Sequence, residues 1–225
     1  MTAVGAVGAV RAVRAVTAVV LAAAPARLNA QHVVVGPQVV FGDYREVSAD
    51  LHFRGGGGGV AGAFTWKKLG VEASFASIKY EPSGGTATQS FKAKQFDLRV
   101  RYYVAGPVSA ELGVVNRKAE PEFEAQSAGA VRGGVRMSYL LGPGVHMSVR
   151  GGMLFGAKFS GGGASSPVGA LELGLSMTVD AVRGRGRLLV DYDFQRIART
   201  TGSGSGEVDV PIQQSLGRVG IALAF

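Results

Sequence analysis

The chain has 225 residues, 35 of them glycine, no cysteine and a formal net charge of +8. With 47% hydrophobic and only 18% charged residues it is no disordered polyelectrolyte, and without a three-residue glycine period it is no collagen. The missing cysteine excludes disulfides, thiolate metal sites and cysteine nucleophiles.

Residues 1–30 are almost all Ala, Val and Gly, with Arg11 and Arg14 ahead of an uncharged run, Ala15–Ala26. A basic region, an apolar region and small residues at a cut site make a secretory signal peptide. Cleavage is expected after Ala30, with Ala26 as the alternative. It would remove Arg11, Arg14 and Arg27 and leave 21 basic against 16 acidic residues. The remainder, 31–225, is expected to be one β-barrel domain. No segment reads as a membrane helix. The longest charge-free stretch, Leu28–Gly42, has 15 residues and contains Gly36 and Pro37, whereas a spanning helix needs about 18 or more.

Beyond the signal the chain alternates with period two, which is the mark of strands with two unlike faces. Phe96, Leu98, Val100 and Tyr102 oppose Gln95, Asp97, Arg99 and Arg101. Leu171, Leu173, Leu175, Met177 and Val179 oppose Glu172, Gly174, Ser176, Thr178 and Asp180. A helix would scatter these residues over opposite sides. Turn residues delimit ten strands, near 32–42, 58–67, 71–80, 92–104, 107–119, 128–141, 144–157, 168–180, 186–199 and 213–225. If residues 32–57 form no complete strand, the number falls to eight. Asp43–Gly57 is expected to be the first long loop, carrying His52 and the Gly55–Gly59 run. Short and long connections alternate, so tight turns gather at one end and long loops at the other. An all-β, antiparallel, up-and-down barrel crossing an outer membrane has that asymmetry.

The bulky apolar face suits hydrocarbon, and in lipid the sheet must close. Trp66, Tyr102, Tyr139 and Phe225 are expected outward near one membrane border, and Phe155 and Phe194 near the other, as an aromatic girdle. The other face carries Arg99, Arg101, Arg132, Arg136, Arg150, Arg187 and Arg218. It also carries Glu72, Asp97, Glu111, Glu172, Asp180, Asp191 and Asp193. Equal numbers of each sign predict cross-strand ion pairs that fill a narrow lumen. A small solute channel lined by the same charges is the alternative.

Other chemistry is thin. His32 and His52 have no partners at metal-ligand spacing, so neither a metal nor a cofactor is expected. His146, Ser148 and Asp180 form a Ser/His/Asp set on paper, but polar packing in the lumen explains them better, and no enzyme activity is expected. A lipid-modifying enzyme is the remote alternative. The Gly55–Gly59 run lacks the helix and GK[ST] ending of a phosphate loop. Arg183–Arg187 is a short basic turn without interleaved aromatics, so no nucleic-acid partner is expected. Arg45, Lys79, Lys92, Lys94, Lys118, Lys158, Arg196 and Arg199 are placed near the outer rim, where anionic lipid head groups could meet them.

The chain ends in Arg218-Val-Gly-Ile-Ala-Leu-Ala-Phe225, with Val219, Ile221, Leu223 and Phe225 alternating on one face. This resembles the C-terminal signal strand of small, porin-like Gram-negative outer-membrane β-barrel proteins. The resemblance implies recognition by the barrel-insertion machinery during biogenesis. It also implies export across the inner membrane, residence in the outer membrane, and outer-membrane lipids with lipopolysaccharide as surroundings. The role expected on that basis is structural or one of surface interaction.

Overall fold

The computed structural model describes residues 31–120, 123, 126–160, 170–181, 185–201 and 208–225. The expected signal peptide and both cleavage positions lie outside the described residues. Nine long strands run in order: β1 (Gln31–Glu46), β2 (Leu51–Trp66), β3 (Leu69–Gly85), β4 (Phe91–Ala105), β5 (Val108–Ala119), β6 (Ala128–Gly142), β7 (Val145–Phe159), β8 (Ala170–Ala181) and β9 (Gly186–Ile197). Two short strands, β10 (Thr200–Thr201) and β11 (Val208–Asp209), pair with each other. The last strand is β12 (Ile212–Ala224).

All strands except β10 and β11 form one closed antiparallel barrel of ten, in which β12 completes the ring against β1. The closing register runs from Val34 opposite Ala224 to Glu46 opposite Ile212. The eight-strand alternative is therefore corrected, because β1 is a full strand. Among the described residues no helix is long and apolar enough to cross a membrane.

The start of β1 and the C-terminal Phe225 lie at the end of the barrel that carries the tight turns. Val33 N–H donates to the Phe225 carbonyl at 3.3 Å. The turns there are Lys67–Lys68, Gly106–Pro107 and Pro143–Gly144, between strands that pair directly. Lys67, Gly106 and Gly144 take positive φ of 52°, 52° and 72°. That backbone twist matches the strand twist in a two-residue hairpin. The opposite end carries the longer connections and is called the loop end below.

The first loop differs from expectation. Residues 47–50 make a four-residue turn, and both flanking strands extend to meet it. Gly55–Gly59 and His52 are strand residues. The reason is close approach of backbones: a Cβ on Gly57 would fall 1.9 Å from the Ser77 carbonyl oxygen of β3. Glycine silences the alternation signal while allowing the pairing, so the strand is invisible to a polarity pattern.

Along most of each strand the outward side chains are apolar and exposed. Examples are Val100 and Tyr102 on β4, Leu112 and Val114 on β5, and Leu171, Leu173 and Leu175 on β8. On β4 the outward apolar run Phe96–Val104 covers nine residues. At about 3.3 Å per residue and a tilt near 40° that is roughly 23 Å of height, close to the apolar band of about 25 Å on a membrane barrel. Towards the loop end the arrangement inverts. Asp43, Arg54, Lys79, Lys92, Lys94, Lys118 and Arg196 point outward, while Tyr44, Phe53, Ile78, Tyr80, Phe91 and Ile197 are buried inside.

Candidate functional site

The lumen has three layers. The middle one is an ion-pair network, spread over eight strands. Asp193, fully buried on β9, accepts from Arg99 Nη2 at 3.1 Å and Arg150 Nε at 3.0 Å, and also pairs with Arg218. Arg218 reaches Asp191 at 2.7 Å and Asp97 at 3.2 Å. Glu172 takes Arg99 and Arg132, each at 2.8 Å, and Arg132 also pairs with Asp97. Arg136 binds both oxygens of Glu72, at 2.7 and 2.8 Å, and lies 2.6 Å from Glu111. Arg101 meets Glu72 at 3.0 Å, and Arg187 meets Asp180 at 2.7 Å. Each of the fourteen inward charges named from the sequence thus has an opposite partner. Arg99 reaches Glu172 and Asp193, and Arg218 reaches Asp97, across the lumen, while the other pairs join strands one to three places apart in the ring. A charge in this layer is tolerated because several hydrogen bonds replace its water.

The loop-end layer is apolar, and this corrects the expectation of a lumen filled by paired charges alone. Phe91 stacks on Tyr80 at 4.9 Å between ring centroids and on Phe123 at 4.8 Å. Phe53 meets Phe91 edge-on at 5.0 Å. Val40, Ile78, Leu154, Ile212 and Leu216 close the remaining space. Several polar groups here are paired: the Tyr44 hydroxyl donates to Glu46 Oε1 at 2.8 Å, and Gln214 bonds Arg117, Tyr80 and Gln95. This collar stands beyond the apolar outer band. Burial raises the Tyr44 and Tyr80 hydroxyl pKa values above the ordinary tyrosine range. The sequence signal for this layer existed in the inward phase of Phe91 and Ala93, one step out of phase with Phe96 and Leu98.

The turn-end layer is a cavity of about 400 Å³ between the ion-pair floor and the tight turns. His146 and Ser148 line it, yet no triad forms there. Ser148 Oγ bonds Ser176 Oγ at 2.6 Å, and Asp180 is engaged by Arg187. Among the described residues no cluster of three His, Asp or Glu is placed to hold a metal.

On the outer face the girdle residues Trp66, Tyr102, Tyr139, Phe155 and Phe225 are exposed, and Phe194 is half-buried. Val219, Ile221, Leu223 and Phe225 share the outward face at the closing seam. Just above the apolar band, Lys79 stands directly opposite Lys92, and Lys94 opposite Lys118. Glu81 joins Lys79 at 2.8 Å, and that hydrogen bond with the lysine's charge lowers the Glu81 pKa. Arg199 is a correction to the rim set. It is buried, with its guanidinium 5.0 Å from the Phe159 ring centre, so it does not face lipid.

No family model matches the sequence, and no curated protein matches it. Several solved structures share the general form. Neisserial surface protein A is 12% identical, with 86% of this chain and 97% of that one aligned at a TM-score of 0.41. The attachment invasion locus protein Ail of Yersinia pestis is 11% identical, with 86% and 98% aligned at 0.40. The outer membrane protease OmpT of Escherichia coli is 9% identical, with 87% and 96% aligned at 0.43.

Proposed function

We infer that this chain is an integral outer-membrane barrel that does not conduct solutes and works by structure and surface contact. The observation that carries this is the stacked loop-end collar above a fully paired ion layer. Two consecutive layers of side chains thus occupy the axis among the described residues, which supports a lumen closed to solutes. A barrel of ten strands lies near the filled end of the size range, since about eight leave room only for side chains and porins use about 16–18.

The lysine pairs on β3, β4 and β5 support an anionic lipid surface as the contact partner. Like charges directly across a strand pair repel; Glu81 on Lys79 and Glu120, 3.6 Å from Lys94, relieve part of this, and a bound anion would relieve the rest. Lipopolysaccharide phosphate at the membrane border has that chemistry, and the lysines sit just above the apolar band. The outward Val219, Ile221, Leu223 and Phe225 support recognition of the last strand by the insertion machinery. The smaller channel reading would need the collar to open, and the lipid-enzyme reading would need a nucleophile–base pair.

Planar-bilayer recording tests the inference. The refolded barrel is expected to give no steady conductance. A stable, ohmic step of the size seen for open pores would overturn it.

A further inference from the structure

We propose that the turn-end cavity binds a small polyhydroxylated anion, the size of a sugar acid or sugar phosphate. The inference adds to the sealed-barrel reading without depending on it, since ligand binding and conductance are measured separately. Four features of the cavity point the same way.

The first is size. About 400 Å³ lies at the lower part of the range for ligand pockets, about 300–1,000 Å³, and suits a monosaccharide. The second is charge. Although the inward charges named above balance, six of the arginines line the cavity against three carboxylates, Glu72, Asp97 and Asp191. Asp193, Glu172 and Glu111 are outside the lining, so the network shows the cavity its cationic side.

The third feature is where the least buried guanidinium groups lie. The side chains of Arg99, Arg132, Arg136, Arg150 and Arg218 are 4–9% exposed and consumed by their carboxylates. Arg101 and Arg187 are 16% and 21% exposed and have one carboxylate each, with lighter neutral contacts beside it: Thr65 Oγ1 at 3.5 Å on Arg101 and His32 Nε2 at 2.9 Å on Arg187. They stand on β4 and β9, five places apart around a ring of ten, hence on opposite walls. An anion between them would receive charge-assisted hydrogen bonds from both sides.

The fourth is the polar wall. Ser138, Ser148 and Ser176 are direct cross-strand neighbours on β6, β7 and β8. They form a hydroxyl row between the two arginine walls, and each hydroxyl can donate or accept. Facing this row, β2 contributes only Ala61, Ala63 and Thr65 on its inward side, which makes the room. Two cationic poles joined by a row of hydroxyls match a ligand with an acidic group and several hydroxyl groups.

Titration calorimetry on the full barrel folded in detergent tests this, with glucuronate and glucose 6-phosphate as anionic probes and methyl glucoside as the neutral one. At least one anionic probe is expected to bind at least tenfold more tightly than methyl glucoside, and more weakly as salt rises. Arg101→Gln and Arg187→Gln are each expected to weaken it about tenfold or more, as is Ala63→Phe, which fills the cavity beside Glu72 without removing a charge. Arg196→Gln, on the outer face, is expected to leave binding unchanged. Equal affinity for the neutral probe, binding that persists in a folded Ala63→Phe barrel, or no heat with either anionic probe would overturn the proposal.

Discussion

Below the level of Phe75 and Phe96 the barrel is built inside out, with Leu, Val and Phe facing away and arginine–carboxylate pairs within. Above that level it is built like a water-soluble barrel, with Lys79, Lys92, Lys94 and Lys118 outside and Tyr44, Tyr80 and Phe91 inside. β3 and β4 cross the border without a break in pairing, in register from Leu69 opposite Tyr102 to Tyr80 opposite Phe91, whereas β6 and β7 shift register there, between Gly129 and Val131. One continuous sheet thus serves two solvents, and only the phase of the side chains changes. On the outer-membrane reading proposed above, the border marks where hydrocarbon gives way to water. In the spanning section burial against lipid rewards apolar outward positions, and the inward charges must satisfy one another. In the collar the ordinary hydrophobic effect drives apolar groups inward.

The comparison can be broken by single substitutions, taken here from the largest effect to the smallest. Asp193→Asn would leave Arg99, Arg150 and Arg218 short of their shared carboxylate. Removing one partner of a buried charge group typically costs about 3–5 kcal/mol. Urea unfolding in detergent, read by gel mobility, is expected to show a loss of this order, and an unchanged midpoint would contradict the paired-lumen account. An outward charge added to the spanning section comes next. Val100→Arg is expected to cost about 2–4 kcal/mol in bilayers, the usual range near the midplane. Lys118→Arg, outward in the collar, is expected to change stability by about 0.5 kcal/mol or less. Equal effects at both positions would erase the border.

Much of this was legible in the sequence because period two assigns faces. The residues Asp97, Arg99 and Arg101 share a face by spacing alone, and so do Glu172 and Asp180. Partner choice was not legible. Arg99 and Glu172 are 73 residues apart and meet across the lumen, which no local pattern encodes. The loop-end halves of β1 and β2 were lost for two reasons. Gly55, Gly57 and Gly59 carry no side chain to alternate, and the inward Val40 and Tyr44 shift the apolar phase relative to the outward Val39 and Phe41. A polarity pattern reads such a shift as the end of a strand, whereas the chain simply enters another solvent. The cavity was hidden because it depends on small residues of β2 facing β7 and β8 across the ring.

The border itself is open to direct measurement, because Trp66 is the only tryptophan. With Trp66 replaced by Phe, a tryptophan is placed at Phe96 in one variant and at Lys118 in another. Each folded barrel is reconstituted in vesicles containing lipids brominated along their acyl chains. Strong quenching at position 96 and little at 118 is the result expected if the inversion of polarity marks the membrane border. Equal quenching at both positions, or none at 96, would contradict it.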